Sequence, residues 1–145
     1  MLPMPSPVRL AAGLIAAALF TAPVALPALA HGDVTPQPVN IEGLEKLGPD
    51  WRGSNPYRGN KRAIEIGSSA YNQNCARCHG LGAISGGIAP DLRFLEAGDT
   101  GDEWFSERFR KGAARDGKVY MPAFGEVLGQ EAGWAIRAWL ETVPQ

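Results

Sequence analysis

Residues 74–80 read Asn-Cys-Ala-Arg-Cys-His-Gly, and Cys75-Ala76-Arg77-Cys78-His79 concentrates the reactive side chains of the chain. Two thiols three positions apart can add to the two vinyl groups of one haem as thioethers. The histidine that follows is then held where its imidazole can ligate the iron. The competing chemistry is a redox-active dithiol, which calls for a βαβ pattern around the cysteines. Neither flank carries convincing strands. A chance match, with His79 a surface residue, is the other alternative. Gly80, the lack of any other cysteine and the export signal described below all favour haem attachment. Both thiols are then consumed, which accounts for an exported chain without a disulfide.

The sixth ligand follows by elimination. The chain has 3 Met and 2 His, and Met1 and Met4 fall in the N-terminal leader. What remains is Met121, with His31 and His79. Met121 precedes Pro122 in Lys118-Val-Tyr-Met-Pro-Ala-Phe-Gly125, read as a loop. A thioether there closes the distal face of the iron and, with His79, raises its potential. A methionine that merely fills core space more often lies within an apolar periodic helix. His31, the expected new N-terminus, could chelate copper through its amine and imidazole, but no companion ligand is visible. An incidental terminus is the simpler reading.

Helices must hold these groups. From about Lys61 to Asn74, Ala63, Ile66, Ala70 and Tyr71 recur at helical spacing and lead into Cys75. Gly67 in that helix invites a close crossing by another. Glu131 to Thr142 supplies the partner, with Trp134, Ile136, Trp139 and Leu140 mostly along one stripe. The expected contact is Trp139 over Gly67, with Tyr71 alongside. Arg137 and Glu141 form an i,i+4 pair expected on a solvated face. A third helix is expected from about Gly101 to Lys111, burying Trp104, Phe105 and Phe109 and stopping at Gly112. Asp91 to Glu96 fits a short helical turn. The reading is all-α with long loops.

The N-terminus bounds the domain. Arg9 precedes an Ala/Leu/Ile run from Leu10 to Phe20, and Ala28-Leu29-Ala30 matches a signal-peptidase site. Residues 1–30 are expected to be a signal peptide, 31–60 an extension and 61–145 the functional domain. An uncleaved anchor is the alternative, but Pro23 and Pro27 interrupt the apolar stretch. Trp51 and Tyr57 suggest that part of the extension docks, since free tails rarely carry large aromatics. The 145 residues include 14 Lys plus Arg and 15 Asp plus Glu, for a net charge of -1. No basic stripe with interleaved aromatics exists, which argues against nucleic-acid binding. No other stretch could span a membrane.

This set resembles the class I cytochromes c from Arg62 to Val143. The likeness is carried by Gly67-x-x-x-Tyr71-x-x-x-Cys75, Pro90-x-Leu92, Met121-Pro122 and Ile136-x-x-Trp139-Leu140. It implies N- and C-terminal helices crossing around one covalently bound haem c. It also implies that Pro90 offers its carbonyl to the ring N–H of His79. A narrower likeness lies in Tyr71–Gly80, Ile84–Arg93 and Lys118–Gly125, which look like the periplasmic cytochromes of Gram-negative bacteria that serve quinoprotein ethanol dehydrogenases. That implies a monohaem electron carrier rather than an enzyme. Its donor would be a pyrroloquinoline-quinone-dependent alcohol dehydrogenase, and a downstream cytochrome or terminal oxidase its acceptor. Cytochromes serving methanol dehydrogenases share the Ile-Ser-Gly-Gly-type loop. Arg77, Arg93 and Lys118 are candidates for partner steering or propionate contacts, and equally for ordinary surface charges. A haem enzyme or gas sensor with a displaceable Met121 is the alternative from another class.

Overall fold

Asn60 has extended backbone, and its side chain accepts the Ala63 N–H at 3.1 Å, opening α1 (Lys61–Asn74). In the computed structural model residues 35–145 are described; the expected signal peptide (1–30) and His31 lie outside them. α1 buries Ala63, Ile66, Gly67, Ala70 and Tyr71 along one side. The short α2 (Ala76–His79) follows through Cys75. Then come α3 (Gly98–Lys111), the strands β1 (Ala113–Arg115) and β2 (Lys118–Met121), and α4 (Gly125–Leu140). Single 3-10 turns at Leu81–Ala83 and Leu92–Phe94 punctuate the loop between α2 and α3.

α1 and α4 cross at Gly67. A Cβ there would stand 1.9 Å from the Ala135 carbonyl oxygen, so the two backbones touch. Trp139, one turn beyond Ala135, packs on Tyr71 with ring centroids 4.5 Å apart. The expected contact is therefore shared between two residues. The Ala135 backbone lies over Gly67, which has no side chain to block it, and Trp139 meets Tyr71 a turn later.

α4 begins at Gly125, earlier than the sequence predicts, with a break at Gly129 where φ is 76°. α3 likewise starts three residues before Gly101. Phe105 and Phe109 are buried as expected, but Trp104 is not: it is 45 % exposed, with the Arg108 guanidinium 5.5 Å from its ring centroid. The buried side of α3 runs through Gly101, Asp102, Phe105 and Phe109, and position 104 falls off that line.

Arg137 is the larger correction. It is 1 % exposed, and its Nε lies 2.7 Å from Oδ1 of Asp102, itself 0 % exposed. Arg58 binds the other Asp102 oxygen at 2.6 Å, and Glu141 pairs with both arginines. Helical spacing puts Arg137 and Glu141 together but says nothing of the carboxylate arriving from α3. A buried arginine survives because its donors are met.

Residues 35–60 form a strap tied across the helices. Leu44, Leu47 and Tyr57 are buried, each worth roughly 1.5–3 kcal/mol of apolar transfer for a side chain of that size. The Gln130 amide donates to the Gly48 and Asp50 carbonyls and accepts the Arg52 N–H. Trp51 packs between Phe109 and Trp134 at ring separations of 6.0 and 6.3 Å. At the strap's start, Asn74 exchanges hydrogen bonds with the Gln37 backbone at 2.6 and 3.2 Å.

β1 and β2 make an antiparallel hairpin with an irregularity between Ala113 and Ala114. The segment read as a loop through Met121 thus contains a strand. Asp116 and Gly117, both at positive φ, form its turn, a two-residue hairpin signal. Among the described residues no helix is long and apolar enough to cross a membrane.

Candidate haem site

The C-terminal end of α1 delivers the motif. The Cys75 N–H bonds the Tyr71 carbonyl, continuing the helix, and the Cys78 and His79 N–H groups both bond the Cys75 carbonyl at 3.1 and 2.9 Å. Both thiols and the imidazole are thereby set on one tight turn. Gly80 ends it: a Cβ there would stand 1.8 Å from the Ile84 carbonyl oxygen, so the chain doubles back only at glycine. The Tyr71 hydroxyl donates to the Gly80 carbonyl at 2.8 Å, linking α1 to the turn.

His79 is buried, and its Nδ1 lies 2.8 Å from the Pro90 carbonyl oxygen. A carbonyl can only accept, so Nδ1 carries the proton. In the tautomer with that proton Nε2 is the bare nitrogen, the form a metal requires. Met121 ends β2, half-buried, and packs against the edge of the core. Its placement follows from Gly112 as much as from Pro122. A Cβ at Gly112, whose φ is 69°, would stand 2.3 Å from the Met121 carbonyl oxygen.

Cys75 and Cys78 are not bonded to each other. Burial pushes the Cys75 thiol up to about 12, with Cys78 beside it adding to the rise. An attacking dithiol needs a lowered pKa, so this environment opposes thiol redox chemistry. Most of the exposed large hydrophobic side chains lie close in sequence to the motif or to Met121. Leu81, Ile84, Ile88, Phe94, Val119 and Tyr120, all strongly exposed, lie on the two segments flanking His79 and Met121. Two free thiols, one oriented imidazole, a thioether and these apolar side chains suit a covalently attached haem. Among the described residues no cluster of three or more His, Cys, Asp or Glu could hold a bare metal ion.

Of the three candidate cations, Arg93 is engaged, binding Asp91 through two nitrogens at 3.0 and 2.8 Å. Arg77 and Lys118 are exposed. The sequence reading missed Asp91 and Ser85 as partners within the loop that carries Pro90. The Asp-x-Arg spacing at 91–93 was the available signal, a side chain capping its own turn.

A mainly helical chain with a C-x-x-C-H turn at the end of its first helix and Met121 at the end of β2 fits a c-type cytochrome. A family model described as cytochrome c oxidase, cbb3-type, subunit III matches residues 62–140. Cytochrome c550 of Pseudomonas aeruginosa is 64 % identical over 120 residues, covering 80 % of this chain and 83 % of that one. Quinohemoprotein alcohol dehydrogenase ADH IIB of Pseudomonas putida is 35 % identical over 77 residues, covering 53 % of this chain but 11 % of the enzyme. Quinohemoprotein alcohol dehydrogenase ADH-IIG of the same species is 52 % identical over 33 residues, 23 % of this chain and 5 % of that one. No solved structure matches significantly. The chain belongs to the class I c-type cytochromes, and as such it is a monohaem electron carrier with covalently bound haem c.

Proposed function

We propose that this cytochrome accepts electrons in the periplasm from a quinoprotein alcohol dehydrogenase acting on ethanol and delivers them toward a terminal oxidase. Cys75 and Cys78 form the thioethers, His79 is the proximal ligand through Nε2, and Met121 is the distal one. The haem supplies a one-electron Fe(III)/Fe(II) couple. The chain's own residues bind it, fix the imidazole through Pro90, and close the distal side with a thioether. With His79 and Met121 both holding it, the iron would offer no open position to a substrate, and the protein would transfer electrons without catalysing a reaction. Residues 1–30 direct export, 31–60 are the extension and 61–145 the cytochrome domain.

The 2.8 Å contact from His79 Nδ1 to the Pro90 carbonyl carries the ligand reading. The donor reading draws on the 35 % identity with a quinohemoprotein alcohol dehydrogenase, whose matching part is small beside the whole enzyme. A partner that resembles a segment of a dehydrogenase is one that can stand where that segment stands in electron flow. The test is stopped-flow reduction of the ferric protein by a quinoprotein ethanol dehydrogenase with ethanol, beside a methanol dehydrogenase with methanol. Fast, saturable reduction by the ethanol enzyme alone supports the proposal. Reduction by the methanol enzyme alone moves the protein to that branch, and reduction by neither overturns the donor assignment.

A further inference from the structure

The loop that presents Pro90 has almost no backbone bonding of its own. No backbone–backbone hydrogen bond outside helices and strands involves residues 85–90, and Gly86 and Gly87 lie within the loop. Proline contributes no N–H. Two side chains supply what the backbone lacks. The Ser85 hydroxyl donates to the Ala89 carbonyl and accepts the Gly87 N–H at 3.0 Å, closing the segment on the near side of Pro90. Asp91 closes it on the far side. Its Oδ2 accepts the Ser85 N–H at 3.2 Å and Arg93 Nη2 at 2.8 Å, while Oδ1 accepts the Arg93 N–H at 3.1 Å and Arg93 Nε at 3.0 Å.

We infer that Asp91, bridging Ser85 and Arg93, is a positioning residue that holds the Pro90 carbonyl on His79 Nδ1 and so tunes the proximal ligand. This rests on His79 being that ligand. An ordinary turn cap would need only the Arg93 N–H. The bond back to Ser85 and the two-nitrogen grip of Arg93 fix both ends of the loop around Pro90. Both side chains are about one-fifth exposed, so water competes only in part. A carbonyl held on Nδ1–H makes the imidazole a stronger donor to the metal, which favours Fe(III). Loosening the clamp therefore raises the midpoint potential and frees the Nδ1 proton.

The test compares haem-loaded wild type with Asp91→Ala, Asp91→Asn and Ser85→Ala, and with Gln130→Ala as a control that loosens the strap instead. The readouts are exchange of the His79 Nδ1 proton in the reduced protein, by NMR, and the midpoint potential. Asp91→Ala is expected to exchange at least tenfold faster and to have a higher potential. Asp91→Asn, which keeps one carbonyl acceptor, falls between, and Gln130→Ala lowers stability without moving either readout. If Asp91→Ala fails to acquire haem, Asp91→Asn and Ser85→Ala are judged by the same criterion. Destabilised variants with wild-type exchange and potential overturn the inference. A wild-type spectrum without histidine–methionine ligation would instead overturn the ligand proposal itself, so the two failures are distinguishable.

Discussion

Between α3 and α4, Asp102 and Arg137 are buried together, Arg58 closes the carboxylate from the strap, and Gln130 binds the strap at three points. Between His79 and Leu95 the chain has two 3-10 turns, a side-chain clamp at Asp91, and large apolar side chains turned outward. One side completes its core from protein alone. The other carries exposed apolar side chains beside an oriented imidazole. If the proposed ligation holds, stability and redox tuning reside in separate parts of this small domain, so substitutions on the two sides should have separable effects.

Arg137→Leu should be the most damaging change on the self-sufficient side. It leaves the buried Asp102 with the half-exposed Arg58 and the Asn55 N–H, both on Oδ2, and no partner on Oδ1, a loss of about 3–5 kcal/mol for a broken buried pair. Denaturant unfolding of the haem-loaded protein measures it, and a loss below about 1 kcal/mol would mean that water or rearrangement replaces the arginine. Gly67→Ala follows. Its Cβ meets the Ala135 backbone rather than a movable side chain, and the overpacking should cost about 3 kcal/mol. Both variants should keep the wild-type potential if they retain haem, and a shift as large as that of Asp91→Ala would erase the comparison.

Gln130→Ala leaves the Gly48 and Asp50 carbonyls and the Arg52 N–H without their partner and should cost about 1–2 kcal/mol in the same unfolding experiment. The smallest effect is on the loop side. Hydrogen bonding from Arg93 holds the Asp91 carboxyl down at about 2, against an ordinary 3.8. Because the folded value is the lower one, Asp91 adds stability that is present above pH 3.8 and is lost as pH falls toward about 2. Wild type should be the more stable above pH 3.8, and its advantage over Asp91→Asn should vanish as pH falls toward about 2, as acid titrations followed by haem absorbance measure.

The haem motif, the helix leading into it and the α1–α4 crossing were legible because each rests on local spacing: Cys75 to His79, Ala63 to Tyr71, and a glycine where a crossing was needed. Trp51 and Tyr57 likewise announced that the extension docks, by being too apolar for a free tail. What escaped depends on elements distant in sequence. Arg137 reads as a surface ion pair until α3 brings Asp102 to it. Trp104 reads as core until the neighbouring Phe105 and Phe109 fix the helix rotation. The hairpin through Met121 was hidden by its short strands, although Asp116-Gly117 marks its turn. Pro90 entered only through the family resemblance, since no local pattern aims a carbonyl at a ring eleven residues away.

Carbon monoxide added to the reduced protein tests most directly whether His79 and Met121 close the iron. Wild type should bind it slowly or incompletely, whereas Met121→Ala should bind it promptly and fully. Fast, complete binding by the wild type would contradict a closed electron carrier and favour a haem whose distal position is open to small molecules.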